Sequence, residues 1–272
     1  MADGAPGFVE PADLAGLRER LRAGDQDGVV AEIVAALLRA GYGRTSRREP
    51  SFFVTGESRS GKSLVAASLA QEGFEVLCLD HLRAARFTGH EPGHKPGHAQ
   101  DRGTGRAGGA LPPRWPFRAR LYDAILDRFP RGLVLEGAEA WLHIRNRPAA
   151  AIAALEARGT AMVFLGCSPE HEASRAAQLM RSARDGHCRA PRSQAWCAER
   201  ARGLVTATAR MAALAARWRG GHLFTLAGAD IEQEARQVSA AILARLAAPG
   251  QGRDGGLGGG LGGANRTGGQ LG

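Results

Sequence analysis

Phe52-Phe53-Val54-Thr55-Gly56-Glu57-Ser58-Arg59-Ser60-Gly61-Lys62-Ser63-Leu64 is a short apolar run that passes directly into G-x-x-x-x-G-K-S. An apolar run of this length reads as a buried strand, and the pattern after it is that of a phosphate-binding loop opening a helix. Glycines at both ends let the backbone turn tightly enough for successive N–H groups to converge on phosphate oxygens, and the helix N-terminus adds its dipole. The segment Gly56, Glu57, Ser58, Arg59, Ser60, Gly61, Lys62, Ser63 and Leu64 is therefore expected to wrap a polyphosphate. Lys62 would reach its outer phosphates, and the Ser63 hydroxyl would take a Mg²⁺ ion.

The basic residues single out Lys62. Of 36 lysines and arginines, only Lys62 and Lys95 are lysines. A chain that uses arginine nearly everywhere keeps a lysine where a compact ammonium must fit inside a tight loop.

Outward from the loop, apolar runs alternate with amphipathic stretches. Strands are expected at 52–55, 75–79, 132–135, 161–165 and 222–226, with helices at 62–71, 117–128, 148–158, 169–184, 194–218 and 231–246. Five strands interleaved with helices predict an α/β fold with a parallel sheet covered on both faces. Before them, residues 11–40 predict two helices, with stripes Leu14, Leu17, Leu21 and Val30, Ile33, Val34, Leu37, Leu38, broken between Gly24 and Gly28. The expected organisation is an N-terminal helical extension (1–50), a main domain (51–248) and a glycine-rich disordered tail (249–272). Residues 88–113 are rich in Gly, His, Pro and Arg and are expected to be a mobile insert. His90, His94 and His98 recur there every fourth residue, but Pro92 and Pro96 oppose the helix that would align them for a metal.

Composition excludes several classes. No stretch approaches the ~20 apolar residues that span a bilayer, so no membrane partner is expected. Residues 1–7 carry no secretory signal pattern, which predicts a cytoplasmic location. Cys78, Cys167, Cys188 and Cys197 lack C-x-x-C spacing and read as isolated thiols. The net charge of +9 and the pI near 10.5 suit anionic ligands. The arginines are scattered and only 6% of residues are aromatic, so nucleic acid is not expected as the partner.

Ligands of open parallel sheets bind beyond the carboxyl ends of the strands. Two carboxylates stand there: Asp80 after the second strand and Glu136 after the third. Sequence order places both near the phosphates.

In Gly56–Ser63, Leu79-Asp80 and Val134-Leu135-Glu136-Gly137, the chain resembles the P-loop small-molecule kinases, the group that includes nucleoside, nucleotide, shikimate, adenylylsulfate and gluconate kinases. The helices flanking residues 185–193 match the arginine-bearing lid of those enzymes, and the resemblance runs from about 51 to 247. It implies a three-layer P-loop NTPase fold with a helical lid, ATP and Mg²⁺ as cofactors, and a small-molecule hydroxyl acceptor, with an anionic acceptor as one candidate. Asp80 would orient the hydroxyl as general base, and Glu136 would help hold the Mg²⁺ shell. The lid would draw on Arg175, Arg181, Arg184, Arg189 and Arg192, with Arg181 and Arg184 nearest the end of the first lid helix. Arg118 and Arg120 would be in reach of an anionic acceptor.

The implied activity is ATP-dependent phosphoryl transfer. The alternative is a non-kinase P-loop ATPase or nucleotide-dependent switch. Asn-Lys-x-Asp, which a guanine site would require, does not occur, and Gly137 follows Glu136 where a motor ATPase would carry a second acid.

Overall fold

The computed structural model describes residues 14–79, 114–138, 140–141, 149–185 and 193–247. The insert at 88–113, Asp80, Arg189, Arg192, Cys188 and the tail from 249 lie outside the described residues.

Five strands form one all-parallel sheet: β1 (Phe52–Gly56), β2 (Glu75–Cys78), β3 (Leu133–Glu136), β4 (Met162–Gly166) and β5 (Gly221–Thr225), in the order β2-β3-β1-β4-β5. Composition assigns the positions. Every residue of β1, β3 and β4 is buried, as continuous apolar runs in a sheet covered on both faces require. The edge strands β2 and β5 are mostly half-exposed and admit Glu75 and His222.

Because side chains alternate across a strand, the sheet feeds two cores. Phe53, Leu77, Leu133, Leu135, Met162 and Phe164 join one cluster with α1 (Leu14–Arg22), α2 (Gln26–Arg39), α4 (Arg114–Arg128), α5 (Ala149–Ala157) and α7 (Gln194–Arg217). Phe52, Val54, Val134, Val163 and Leu165 pack on the opposite side against α3 (Lys62–Gln71) and α8 (Ile231–Ala247). The three layers are thus helices, sheet, helices, and the architecture is a P-loop fold. Between β4 and α7, α6 (Glu172–Arg184) lies along α7, with Leu179 against Cys197 and Ala201.

The two N-terminal helices belong to the main core. Val29, Val30, Ile33 and Leu37 are buried in the same cluster as Phe53, each worth about 1.5–3 kcal/mol relative to exposure. Asp25 caps α2 by accepting from the Gly28 N–H at 2.9 Å, so Gly28 lies inside the helix and not in the break before it. The chain then follows the edge of β2, where the Glu75 carboxylate accepts from the Gly43 and Arg44 N–H groups.

Other boundaries shift modestly. The strand expected at 132–135 occupies Leu133–Glu136, which brings Glu136 into the sheet opposite Val54 and Cys78. The helix expected at 169–184 begins as a 3₁₀ turn, Pro169–His171, before α6 proper. Among the described residues, no helix is long and apolar enough to cross a membrane.

Candidate functional site

β1 lies between β3 and β4, and the chain crosses from one side of it to the other after β3. That reversal is the switch point at which open α/β sheets hold ligands, and residues 56–63 leave β1 there. Gly61 caps α3 with φ of 100°, a left-handed conformation that a side chain resists, and a Cβ there would run into Leu226 Cδ1. A Cβ on Gly56 would collide with the Leu165 carbonyl of β4, so both motif glycines are required by geometry. Arg59 takes φ of 70°, alone among non-glycine residues in the described chain. Such conformations cost about 1–3 kcal/mol and cluster at ligand clamps.

Inside the loop, the Ser60 N–H donates to the Glu57 carbonyl at 3.1 Å, and α3 begins with Leu64 and Val65 on the Gly61 carbonyl. Lys62 is buried, 6% exposed, and its Nζ donates to the Glu57 carbonyl at 2.9 Å, which spans the loop with the ammonium. The Ser63 hydroxyl donates to Glu136 Oε1 at 3.4 Å. Glu136 is 4% exposed, so β3 delivers a buried carboxylate to the first turn of α3. Two hard oxygen donors side by side, next to a loop shaped for phosphate, fit Mg²⁺, which takes one or two protein oxygens and completes its shell with phosphate and water.

Thr55 ties the floor together. Its hydroxyl donates to the Gly137 carbonyl at 2.9 Å and accepts from the Trp141 N–H at 3.1 Å. Leu79, the residue before Asp80, donates its N–H to the Glu136 carbonyl at 2.7 Å.

Two arginines grip the loop from outside. Arg175 of α6 is 2% exposed and donates Nη2 to the Arg59 carbonyl. Among the described residues its Nε and Nη1 have no hydrogen-bond partner, and neither has Gln178 Oε1 one turn later or Ser60 Oγ in the loop. Burial pulls the Arg175 pKa down, and the nearby Cys167 and Glu234 oppose that. Arg200 of α7 donates to the Ser58 carbonyl at 2.6 Å and to Glu57 Oε2 at 3.2 Å.

Other candidates from the sequence sit further off. Arg181 donates to the Gly228 carbonyl at 3.0 Å, and Arg184 is exposed at the end of α6. Arg120 pairs with Asp27 of α2 at 2.9 Å, on the exposed side of α4, and Arg118 is buried. Arg175, one of the lid arginines expected from the sequence, shares with Leu179 the buried stripe of α6, where an arginine is out of place. Arg200 carries no such mark among the many arginines of α7.

No family model matches the sequence, and no curated protein matches it. Among solved structures, the chain is similar to a shikimate kinase from Acinetobacter baumannii in complex with shikimate, at 20% identity and a TM-score of 0.38, covering 73% of this chain and 96% of that one. It is also similar to a chain of the PezAT chromosomal toxin-antitoxin system of Streptococcus pneumoniae, at 14% identity and a TM-score of 0.36, covering 82% and 96%. What identifies the fold is the sheet order together with the phosphate loop that leaves its central strand.

Proposed function

We propose that this protein is an ATP-dependent phosphotransferase that moves the γ-phosphate of ATP to a hydroxyl of a small-molecule acceptor. The observation that carries this reading is the G-x-x-x-x-G-K-S loop at the switch point, with the Ser63 hydroxyl and the Glu136 carboxylate 3.4 Å apart beside it. The loop N–H groups and Lys62 bind the β- and γ-phosphates, and charge that spreads over the transferring group is stabilised there. Ser63 and Glu136 hold the Mg²⁺, which neutralises phosphate charge when bound. Asp80, one residue beyond Leu79, accepts the hydroxyl proton and keeps the acceptor oxygen in line. Arg181 and Arg184 serve as lid cations. The protein acts in the cytoplasm on a soluble acceptor.

The second reading, a P-loop ATPase or nucleotide-dependent switch, uses the same loop without an acceptor. Transfer from γ-labelled ATP to a panel of sugars, hydroxy acids, nucleosides and aminoglycosides separates the two. A labelled acceptor that disappears with Lys62→Ala supports the phosphotransferase. Release of inorganic phosphate alone, unchanged by every acceptor, supports the ATPase.

A further inference from the structure

We propose that Gln178 of α6 selects the nucleobase of the phosphate donor, admitting adenine and rejecting bases that carry a carbonyl where adenine carries its amino group. This rests on the phosphotransferase reading, with the phosphates in the loop and the acceptor at Asp80. Sheet order then sets the direction of the donor. In the order β2-β3-β1-β4-β5, the acceptor stands beyond β2, Glu136 ends β3 and the phosphate loop leaves β1. The nucleoside therefore leaves the loop over β4 and β5, on the side away from the acceptor. The elements found there are α6, which follows β4, and residues 226–230, which follow β5.

The backbone of 226–230 is already engaged. The Glu234 carboxylate accepts from the Gly228, Ala229 and Asp230 N–H groups at 2.9, 2.9 and 3.3 Å. The Ala227 carbonyl accepts from Ser174 Oγ at 2.6 Å, and the Gly228 carbonyl from Arg181 at 3.0 Å. These bonds fasten the loop to α6. Gly228, with φ of 84°, lets it come close, since a Cβ there would stand 3.2 Å from Gln178 Cβ.

The unpaired side-chain atoms on this face of α6 form a pattern. Arg175, 2% exposed, keeps the donors Nε and Nη1 without a partner among the described residues, and one turn later the acceptor Gln178 Oε1 is buried and unpartnered. Residues three apart share a helix face, with Cβ atoms ~5–6 Å from each other. Arg175 Nη2 holds the Arg59 carbonyl and would stand 3.8 Å from a Cβ on Gly61, so this face begins at the phosphate loop. Donors beside an acceptor complement a base edge that presents an acceptor beside a donor. Adenine has that edge, with ring nitrogen N7 next to the N6 amino group. Guanine and hypoxanthine carry O6 in place of the amino group, which sets two acceptors against each other at Gln178. A wrong base thus leaves a buried acceptor unpaired, the condition under which polar sites discriminate most strongly.

The test is a calorimetric titration of MgATP, MgITP and MgGTP into the full chain, as wild type and as Gln178→Met, with a thermal melt of each protein. The three nucleotides share one triphosphate, so the phosphate loop contributes equally to all. The wild type should bind MgATP at least about tenfold more tightly than MgITP or MgGTP. Gln178→Met keeps the length of the side chain and loses the acceptor, and there the preference should fall below about threefold. A smaller wild-type preference overturns the proposal and marks the unpaired atoms as hydrated. Tighter binding of MgGTP than of MgATP also overturns it, as does a preference that survives in Gln178→Met. If Gln178→Met does not fold, Gln178→Ala at this half-exposed position replaces it under the same outcomes. Binding of none of the three nucleotides removes the phosphotransferase reading and this proposal with it. Selective MgATP binding without transfer to any acceptor removes that reading alone and leaves the role of Gln178 standing.

Discussion

Arg200 Nη2 donates to the Ser58 carbonyl at 2.6 Å across 142 residues of sequence, fastening α7 to the crest of the phosphate loop. In a trans peptide the C=O and the following N–H point in opposite directions, so drawing the Ser58 carbonyl toward α7 turns the Arg59 N–H the other way. The same guanidinium holds Glu57 at 3.2 Å, while Arg175 takes the next carbonyl, that of Arg59. Two helices thus set the conformation of a segment with little regular hydrogen bonding of its own.

Removing that tether should loosen the loop. Arg200→Ala deletes a charge-assisted bond of about 1.5 kcal/mol, so MgATP affinity is expected to fall about tenfold and the melting temperature by a few degrees. Calorimetric titration and a thermal melt measure both. Unchanged affinity with a lowered melting temperature would show that Arg200 only packs α7.

The oxygen pair at the base of the loop predicts a metal phenotype. Ser63→Ala and Glu136→Gln should each raise the Mg²⁺ concentration needed for half-maximal ATP binding by about tenfold, in line with the loss of one charged or polar contact of 1–2 kcal/mol. ATP binding titrated against Mg²⁺ reads this directly. An unshifted Mg²⁺ midpoint in both variants would place the metal elsewhere.

Arg175 should show opposite effects on stability and binding. Its guanidinium is desolvated, with two nitrogens lacking partners among the described residues, so Arg175→Met removes a buried charge and is expected to leave stability unchanged or raise it by about 1 kcal/mol. Nucleotide affinity should fall, because the Arg59 carbonyl loses its donor. A variant that unfolds would show that Arg175 is a structural prop.

His222 on the edge strand β5 predicts a pH dependence of stability. Burial, and then the nearby Arg245, push its pKa below the usual 6.5. The unfolded chain therefore takes up the proton first, and the contribution present above pH 6.5 is lost as pH falls toward the folded value. Unfolding free energy should decline from pH 7 to 5, and His222→Asn should flatten that slope. Parallel slopes in the two proteins would clear His222.

Much of the fold could be read from local pattern, because the central strands β1, β3 and β4 are continuous apolar runs and the intervening helices are amphipathic. Sheet order could not, since burial on both faces makes β1, β3 and β4 look alike in sequence. The phosphate loop announced itself through Gly56, Gly61 and Lys62, whose requirements are local. Glu136 was legible only as a residue near a strand end; that it faces Ser63 follows from the pairing of β3 with β1. Arg200 was missed because its role depends on how α7 lies against the loop, and nothing in its own neighbourhood separates it from the other arginines of that helix. Arg181 and Arg184 stand nearest the end of the first lid helix, whereas Arg175 and Arg200 donate to carbonyls of the phosphate loop.

The most direct test of the central claim, that residues 56–63 bind a nucleoside triphosphate, is a calorimetric titration of MgATP into the wild-type protein and Lys62→Ala. Binding in the micromolar range should weaken by two orders of magnitude or more in the variant, since Lys62 is the buried cation that spans the loop. Equal binding by the two proteins, or none by the wild type, would contradict the account.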